Sequence, residues 1–258
     1  MSYESIRYDV TQDIATITLN RPDVMNGLNV QMRKELTEAV HHAPTEARVL
    51  VLTGAGRGFC SGQDLGDAKK IGQTDLGKTL RDEYEPMLKA IYNCPIPTIA
   101  AVNGAAAGAG ANLALAADVV IATKSAYFIQ AFARIGLIPD AGGTYWLPRQ
   151  IGFARAMGAA LFTDRIDAEQ AAEWGMIWEC VEDDNFADHV LDRALHLAKG
   201  PTKSYGLIKQ ALRHSMDNTL DQQLSLEAVL QGQAGSTHDF VEGVTAFLEK
   251  RSPDYKGE

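Results

Sequence analysis

The chain has 258 residues, 46% of them hydrophobic, which is enough to bury a sizeable core and excludes a disordered or fibrous protein. With 24 basic against 33 acidic residues the formal charge is −9, which opposes binding to nucleic acid or anionic membranes and favours a small-molecule substrate. The longest apolar stretches, such as Ala105 to Ala117, are too short and too rich in Gly and Ala for a bilayer span, and Met1 to Thr11 lacks a signal-peptide pattern; a soluble, cytoplasmic protein is expected.

Ile14 to Leu19 alternates and is β-branched, and Arg48 to Thr53 is a continuous apolar run. Thr98 to Val102 and Asp118 to Ala122 read similarly, so four strands are expected. Helical spacing between them, over about Asn29 to His42 and Lys78 to Asn93, gives the alternation of right-handed crossover units and an α/β fold class. Beyond Gly142 the pattern turns helical: Ala154 to Phe162, Ala168 to Trp174, Asn185 to Lys199, Thr202 to His214, Thr219 to Gln233 and Asp239 to Arg251. Leu220, Leu224, Leu226, Val229 and Leu230 could be core or a subunit contact, burial being the commoner outcome. No repeat, low-complexity segment or Pro/Ser-rich linker marks a flexible boundary.

Two Gly-rich segments each follow an expected strand: Thr53 to Leu65 (TGAGRGFCSGQDL) and Asn103 to Leu115 (NGAAAGAGANLAL). Small residues leave backbone N–H groups unobstructed, and at the start of a helix such donors favour a developing negative charge. Tight turns and close packing are the plain alternative explanation of these glycines. Neither the dinucleotide spacing nor a phosphate-binding G-x-x-x-x-G-K-[ST] is present. Gly58-Phe-Cys60-Ser-Gly62 has the outline of a nucleophile elbow, but its strand is expected to end several residues earlier.

In a third segment, Ala133 to Thr144 (ARIGLIPDAGGT), Asp140 precedes a small-residue run that opens a helical stretch. Locally it reads as a helix cap or as a base, and both stay open. The six histidines lie in polar helical surroundings without metal-ligand spacing, and the three cysteines, odd in number and without C-x-x-C spacing, suggest neither a disulfide framework nor a zinc site. No metal is expected.

The three segments, in this order, resemble the crotonase (enoyl-CoA hydratase/isomerase) superfamily. The pieces that carry the resemblance include Asn20-Arg-Pro22 with Asn26-Gly-Leu28, FCSGQDL at 59 to 65, PTIAAVNG at 97 to 104, AGAGANLALAAD at 107 to 118 and GLIPDAGGT at 136 to 144. The resemblance implies a ββα spiral core, taken as residues 1–200, and a C-terminal helical trimerisation region over 201–258. It implies an acyl-CoA substrate, no separate cofactor, and a homotrimer or dimer of trimers. Matching positions assign two peptide donors to the thioester oxygen, at Gln63 and Ala109. Because these donors are backbone groups, Gln63→Ala is expected to keep most activity. Substrate or CoA contacts are implied for Arg21, Val24, Cys60, Gly62 and Asp64. Further contacts are implied for Leu65, Asn112, Phe132, Gly142 and Lys250, with Lys250 or Arg251 near the CoA phosphates.

Family hydratases use two glutamates, and Asn112 and Phe132 stand at those positions. Adding water needs one group to activate it and one to deliver a proton. What remains is Asp140, at a site that carries an acid in some isomerases and dehalogenases of the family. The wording of residues 131–144, with LPR at 147 to 149 and EWGMIW at 173 to 178, looks most like isomerases acting on a ring-bearing acyl group. The alternatives are an isomerase moving the double bond of a linear enoyl-CoA and a catalytically silent CoA-binding protein.

Overall fold

The computed structural model describes residues 3–64, 66 and 75–258. Its strands are β1 (Ile6–Thr11), β2 (Ile14–Leu19), β3 (Val49–Gly54), β4 (Gly58–Cys60), β5 (Thr98–Val102), β6 (Ala105–Ala107), β7 (Val119–Thr123), β8 (Tyr127–Ile129), β9 (Ile166–Asp167) and β10 (Glu179–Val181). The helices are α1 (Val30–His42), α2 (Leu76–Thr79), α3 (Glu85–Tyr92), α4 (Ala109–Leu115), α5 (Gly143–Phe162), α6 (Ala168–Glu173), α7 (Phe186–Ala198), α8 (Thr202–His214), α9 (Leu220–Gly235) and α10 (His238–Glu249).

The strands form two sheets, a six-stranded one ordered β1-β2-β3-β5-β7-β10 and a four-stranded one ordered β4-β6-β8-β9. Strands β3, β5 and β7 are mutually parallel in the first, and β4, β6 and β8 in the second. Each turn of the chain therefore lays one strand in each sheet before a helix carries it back, which is a ββα spiral. The four strands expected from the sequence are β2, β3, β5 and β7, whose side chains are almost all buried.

The helix expected over Lys78 to Asn93 is α2 and α3 joined by a π-helical turn, Leu80–Tyr84. The wider π turn leaves Tyr84 as the buried residue of its segment. Helix α5 starts earlier than its expected Ala154 and breaks at Gly152, whose φ of 77° and ψ of 162° are not helical.

Helix α8 and the C-terminal tail attach to the core through polar ties. Asp118 accepts from the backbone N–H and hydroxyl of Thr98, and pairs with Lys209 and Arg213 of α8. The Arg48 guanidinium donates to Gly200, Thr202 and Tyr255. Of the apolar residues of α9, Leu230 is buried, while Leu220, Leu224 and Val229 are exposed in the single chain, contrary to the burial expected for them. Among the described residues, no helix is long and apolar enough to cross a membrane.

Candidate active site

Strands β4, β6 and β8 lie side by side and run parallel, so their C-terminal ends sit on one edge of the small sheet. The segments carrying Gln63, Ala109 and Asp140 leave from those three ends in turn. Convergence at the carboxyl ends of parallel strands is where open α/β sheets place ligands.

The first turn is fixed by Leu28. Its N–H donates to the Gly62 carbonyl at 2.8 Å, and its own carbonyl accepts from the Asp64 N–H at 3.2 Å. In such a parallel bridge the intervening residue points its amide the other way, so the Gln63 N–H faces away from Leu28. Gly62 has a φ of 90°, and a Cβ there would lie 2.8 Å from the Ala107 oxygen and 3.3 Å from the Ala109 nitrogen. Only glycine allows the two turns to approach this closely. Ala109 is the first residue of α4 and so offers one of the orphan N–H groups of a helix N-terminus. Among the described residues no acceptor takes either amide. Two unpartnered N–H groups on adjoining turns can donate to one oxygen.

The Gln63 side chain is held more tightly than the sequence suggested. Its Oε1 accepts from Arg33 Nη1 at 3.1 Å and from the Tyr84 hydroxyl. Arg33, only 2% exposed, also donates to the Leu28 carbonyl and pairs with Glu83. Burial pushes the Tyr84 hydroxyl well above the usual tyrosine range; Arg33 pulls it down and the Asp140 charge pushes it up, which puts Asp140 within electrostatic reach of this cluster. The expectation that Gln63→Ala keeps most activity is therefore revised. That variant strands a buried hydroxyl and should lose about 1–3 kcal/mol of unfolding free energy. It should also lose on the order of tenfold in kcat as the amide slackens, inside the ~10²-fold that a 1 Å misplacement costs. Denaturant melts and turnover of Gln63→Ala beside Tyr84→Phe check this; a Gln63→Ala protein with parental stability overturns it.

Asp140 sits in a turn in which Ala141 and Gly142 both adopt left-handed φ, 48° and 84°. The N-cap of α5 is Gly142, with no side-chain cap hydrogen bond, so the capping alternative for Asp140 is set aside. Its Oδ1 is buried and has no hydrogen-bond partner among the described residues. Burial pushes its carboxyl above the usual range to about 6, partly offset by a bond from its own backbone N–H. A desolvated carboxylate with a free lone pair is suited to take a proton from carbon near neutral pH.

Arg21 pairs with Asp64 at 2.7 Å and donates to Gly27. Although burial works the other way, the Gly66 N–H and Arg21 hold the Asp64 carboxyl below its usual range. Val24 is exposed, and its carbonyl accepts from Ser61. Cys60 is fully buried on β4, donates to the Asn26 carbonyl at 3.2 Å, and burial pushes its thiol up to about 12. The elbow was set aside on the ground that its strand ended early; β4 in fact runs to Cys60, and it is this raised, buried thiol that rules out a nucleophile.

Phe132 is buried, with its ring 3.7 Å from where a Gly108 Cβ would stand. Gly142 abuts the Trp146 indole, and Tyr92, Tyr145 and Trp146 form an aromatic group with Tyr145 and Trp146 centroids 4.7 Å apart. Asn112 is fully buried, and both ends of its amide are engaged inside the protein. Leu65 lies outside the described residues. Lys250 ends α10, exposed and left-handed, and no hydrogen bond or ion pair joins it to the other candidates among the described residues. Arg251 is engaged by Glu242 and Glu249.

Sequence reasoning missed Arg33, Tyr84 and Gln130, and marked Asn26 as part of a motif without a role. Asn26 Nδ2 donates to the carbonyls of Ala55, Gly58 and Phe59 and so fixes the start of the first turn. Among the described residues no cluster of His, Cys, Asp and Glu could hold a metal.

The model of the enoyl-CoA hydratase/isomerase family matches residues 9–258. The chain belongs to that family. It is thus an enzyme of the crotonase family, with acyl-CoA hydratase/isomerase activity. A Rhodobacter capsulatus protein named "Probable enoyl-CoA hydratase" is 61% identical over 257 residues, covering 100% of both chains. The 1,2-epoxyphenylacetyl-CoA isomerase of Escherichia coli is 50% identical over 260 residues, covering 98% of this chain and 99% of its own. Among solved structures, an enoyl-CoA hydratase from Bacillus anthracis superposes with a TM-score of 0.94 at 32% identity, covering 99% and 100%. Within this hydratase/isomerase family the ββα spiral and C-terminal helices described above are the shared architecture.

Proposed function

We propose that the protein isomerises an acyl-CoA thioester, with ring-1,2-epoxyphenylacetyl-CoA as substrate and the oxepin thioester as product. The observation that carries this reading is the orphaned, buried Oδ1 of Asp140 on the third of three turns, of which the first two carry the unpartnered Gln63 and Ala109 amides. The thioester oxygen accepts from the Gln63 and Ala109 N–H groups, which acidifies the α-carbon. Asp140 removes the α-proton and electrons move through the enolate into the ring as the epoxide rearranges. The same carboxyl returns the proton to a ring carbon. One C–H bond breaks and one forms, and the ring C–C bond shared with the epoxide opens as its electron pair enters the ring π system, so composition is unchanged and no redox cofactor takes part. Phe132, Tyr145 and Trp146 supply flat apolar surface for a ring. The 50% identical relative's name supports the same substrate.

The name of the 61% identical relative favours a second reading, hydration of an enoyl-CoA. Against it, Asn112 and Phe132 occupy the positions implied for both glutamates of the family hydratases, leaving Asp140 as one carboxyl for a reaction that needs two proton-transfer groups. A linear enoyl-CoA isomerase uses the same shuttle as the proposed reaction. Product analysis with ring-epoxidised phenylacetyl-CoA, and with crotonyl-CoA in ¹⁸O-water, separates these readings. In parallel runs in deuterated water, solvent deuterium at carbon without oxygen uptake is the expected result, ¹⁸O uptake into the product marks a hydratase, and CoA binding without exchange marks a silent protein.

The assembly proposed is a homotrimer or dimer of trimers. Its support is the apolar surface of the last helices, where Phe247 is 82% exposed and Phe240, Val241, Leu248, Leu220 and Leu224 are exposed with it. Sedimentation at micromolar concentration is expected to give three or six chains; a monomer removes the proposal.

A further inference from the structure

Asn112 and Gln130 are 0% and 1% exposed and join into a directed chain. Gln130 Nε2 donates to Asn112 Oδ1 at 2.9 Å, and Asn112 Nδ2 donates to the Asp140 backbone oxygen at 2.7 Å. The direction is set by chemistry. A backbone carbonyl only accepts, so Asn112 must turn its NH₂ to Asp140 and its oxygen to Gln130, which must then donate. The same Asp140 oxygen accepts from the Gly143 N–H at 2.9 Å. It is held from one side by the start of α5 and from the other by α4, the helix whose first residue carries the Ala109 amide.

We propose that the Gln130–Asn112 pair is a positioning device that fixes the Asp140 turn relative to the Ala109 amide. The proposal rests on reading Asp140 as the base. Two observations argue that the pair does more than fill space. Gln130 Oε1 is buried without a partner among the described residues, a cost an apolar side chain of similar size would avoid. Ala141, directly after Asp140, holds a left-handed φ that a non-glycine residue keeps only under external restraint. The space is also specific, since a Cβ on Gly143 would lie 2.5 Å from Asn112 Nδ2.

The test inverts the chain without changing its shape. In Gln130→Glu a deprotonated carboxylate cannot donate, so Asn112 must turn its NH₂ towards position 130 and face its oxygen to the Asp140 carbonyl. When the new carboxyl is protonated it can donate again. The expected result is a kcat lowered ~10- to 10²-fold at pH 8 with KM changed less than about threefold. Measured against the parent at each pH, activity should recover as pH falls towards 6, so the variant adds an alkaline limb that the parent lacks to the acid limb both share. Gln130→Met removes the donor without inverting Asn112 and should lose less. A parental kcat and pH profile in Gln130→Glu overturns the proposal, as do equal losses in both variants that track their melting temperatures. If Gln130→Glu does not fold, Asn112→Leu is measured instead: a lowered kcat at unchanged KM supports the proposal and a parental kcat overturns it. Asp140→Asn is run in parallel. If it exchanges at the parent rate, the base assignment falls and takes this proposal with it; if it is inactive while Gln130→Glu is parental, the positioning role alone falls.

Discussion

Asp140→Asn is expected to remove proton exchange at the α-carbon of an acyl-CoA, slowing turnover by ~10²- to 10⁴-fold while CoA binding and the fold survive. The side chain keeps its size, and no cap hydrogen bond is lost because Gly142, not Asp140, is the N-cap of α5. Two pH measurements sharpen the expectation. Since burial raises the carboxyl to about 6, kcat/KM of the parent should fall on the acid side with an apparent pKa near that value. Stability carries the opposite sign to an ordinary ion-paired carboxylate. The folded state holds the Asp140 proton up to about pH 6, whereas the unfolded chain loses it near 3.8, so the parent loses stability as pH rises between those values. At pH 8 the Asn variant should melt at the same or a higher temperature than the parent, and the difference should close towards pH 4. A folded Asp140→Asn protein that exchanges deuterium at the parent rate ends the mechanism.

The second large effect concerns an amide rather than a side chain. Ala109→Pro is expected to lower kcat by ~10²- to 10³-fold, the usual cost of one oxyanion donor. Proline is normally a blunt tool, but here it suits the position. Ala109 is the first residue of α4, where the fixed φ of proline fits and the N–H makes no helical bond. The residue before it is Gly108, at φ 53° and ψ −125°, and a glycine has no Cβ to clash with the new ring. Far-UV circular dichroism should therefore match the parent. Full turnover in a folded Ala109→Pro protein would remove this amide from the mechanism, and a complex with acyl-CoA in which neither amide nears the thioester oxygen would remove both.

The central strands of the larger sheet, β2, β3, β5 and β7, were legible in the sequence because they are buried on both faces and read as β-branched runs. The smaller sheet was not. Strands β4, β6 and β8 are three residues each, and Gly58-Phe-Cys60 and Ala105-Ala-Ala107 carry neither length nor alternation. The first two were absorbed into the Gly-rich segments and Tyr127–Ile129 lies in neither, although together the three align the site turns. The edge strand β1, mostly half-buried or exposed, went unseen for the related reason that one face meets solvent. Candidate site residues were legible where they lay in a motif, as Gln63, Ala109 and Asp140 do. Arg33, Tyr84 and Gln130 were not, because each acts on a partner across 18 to 51 residues of chain and leaves no local trace. The choice between cap and base at Asp140 needed the dihedral angles of the two residues that follow it.

On the mechanism proposed above, the spiral also sets when, in the life of the chain, catalysis becomes available. Residues 63, 109 and 140 are delivered by three consecutive turns, and β8 can dock only on a β6 already in place beside β4. Translation proceeds at about 5–20 residues per second, and N-terminal segments emerge first. The two amides can therefore meet some seconds before the carboxylate leaves the ribosome. Turnover becomes a late reporter of completed folding: during refolding, sheet signal should return before activity does, and a nascent chain stopped ahead of β8 would hold the cradle without its base.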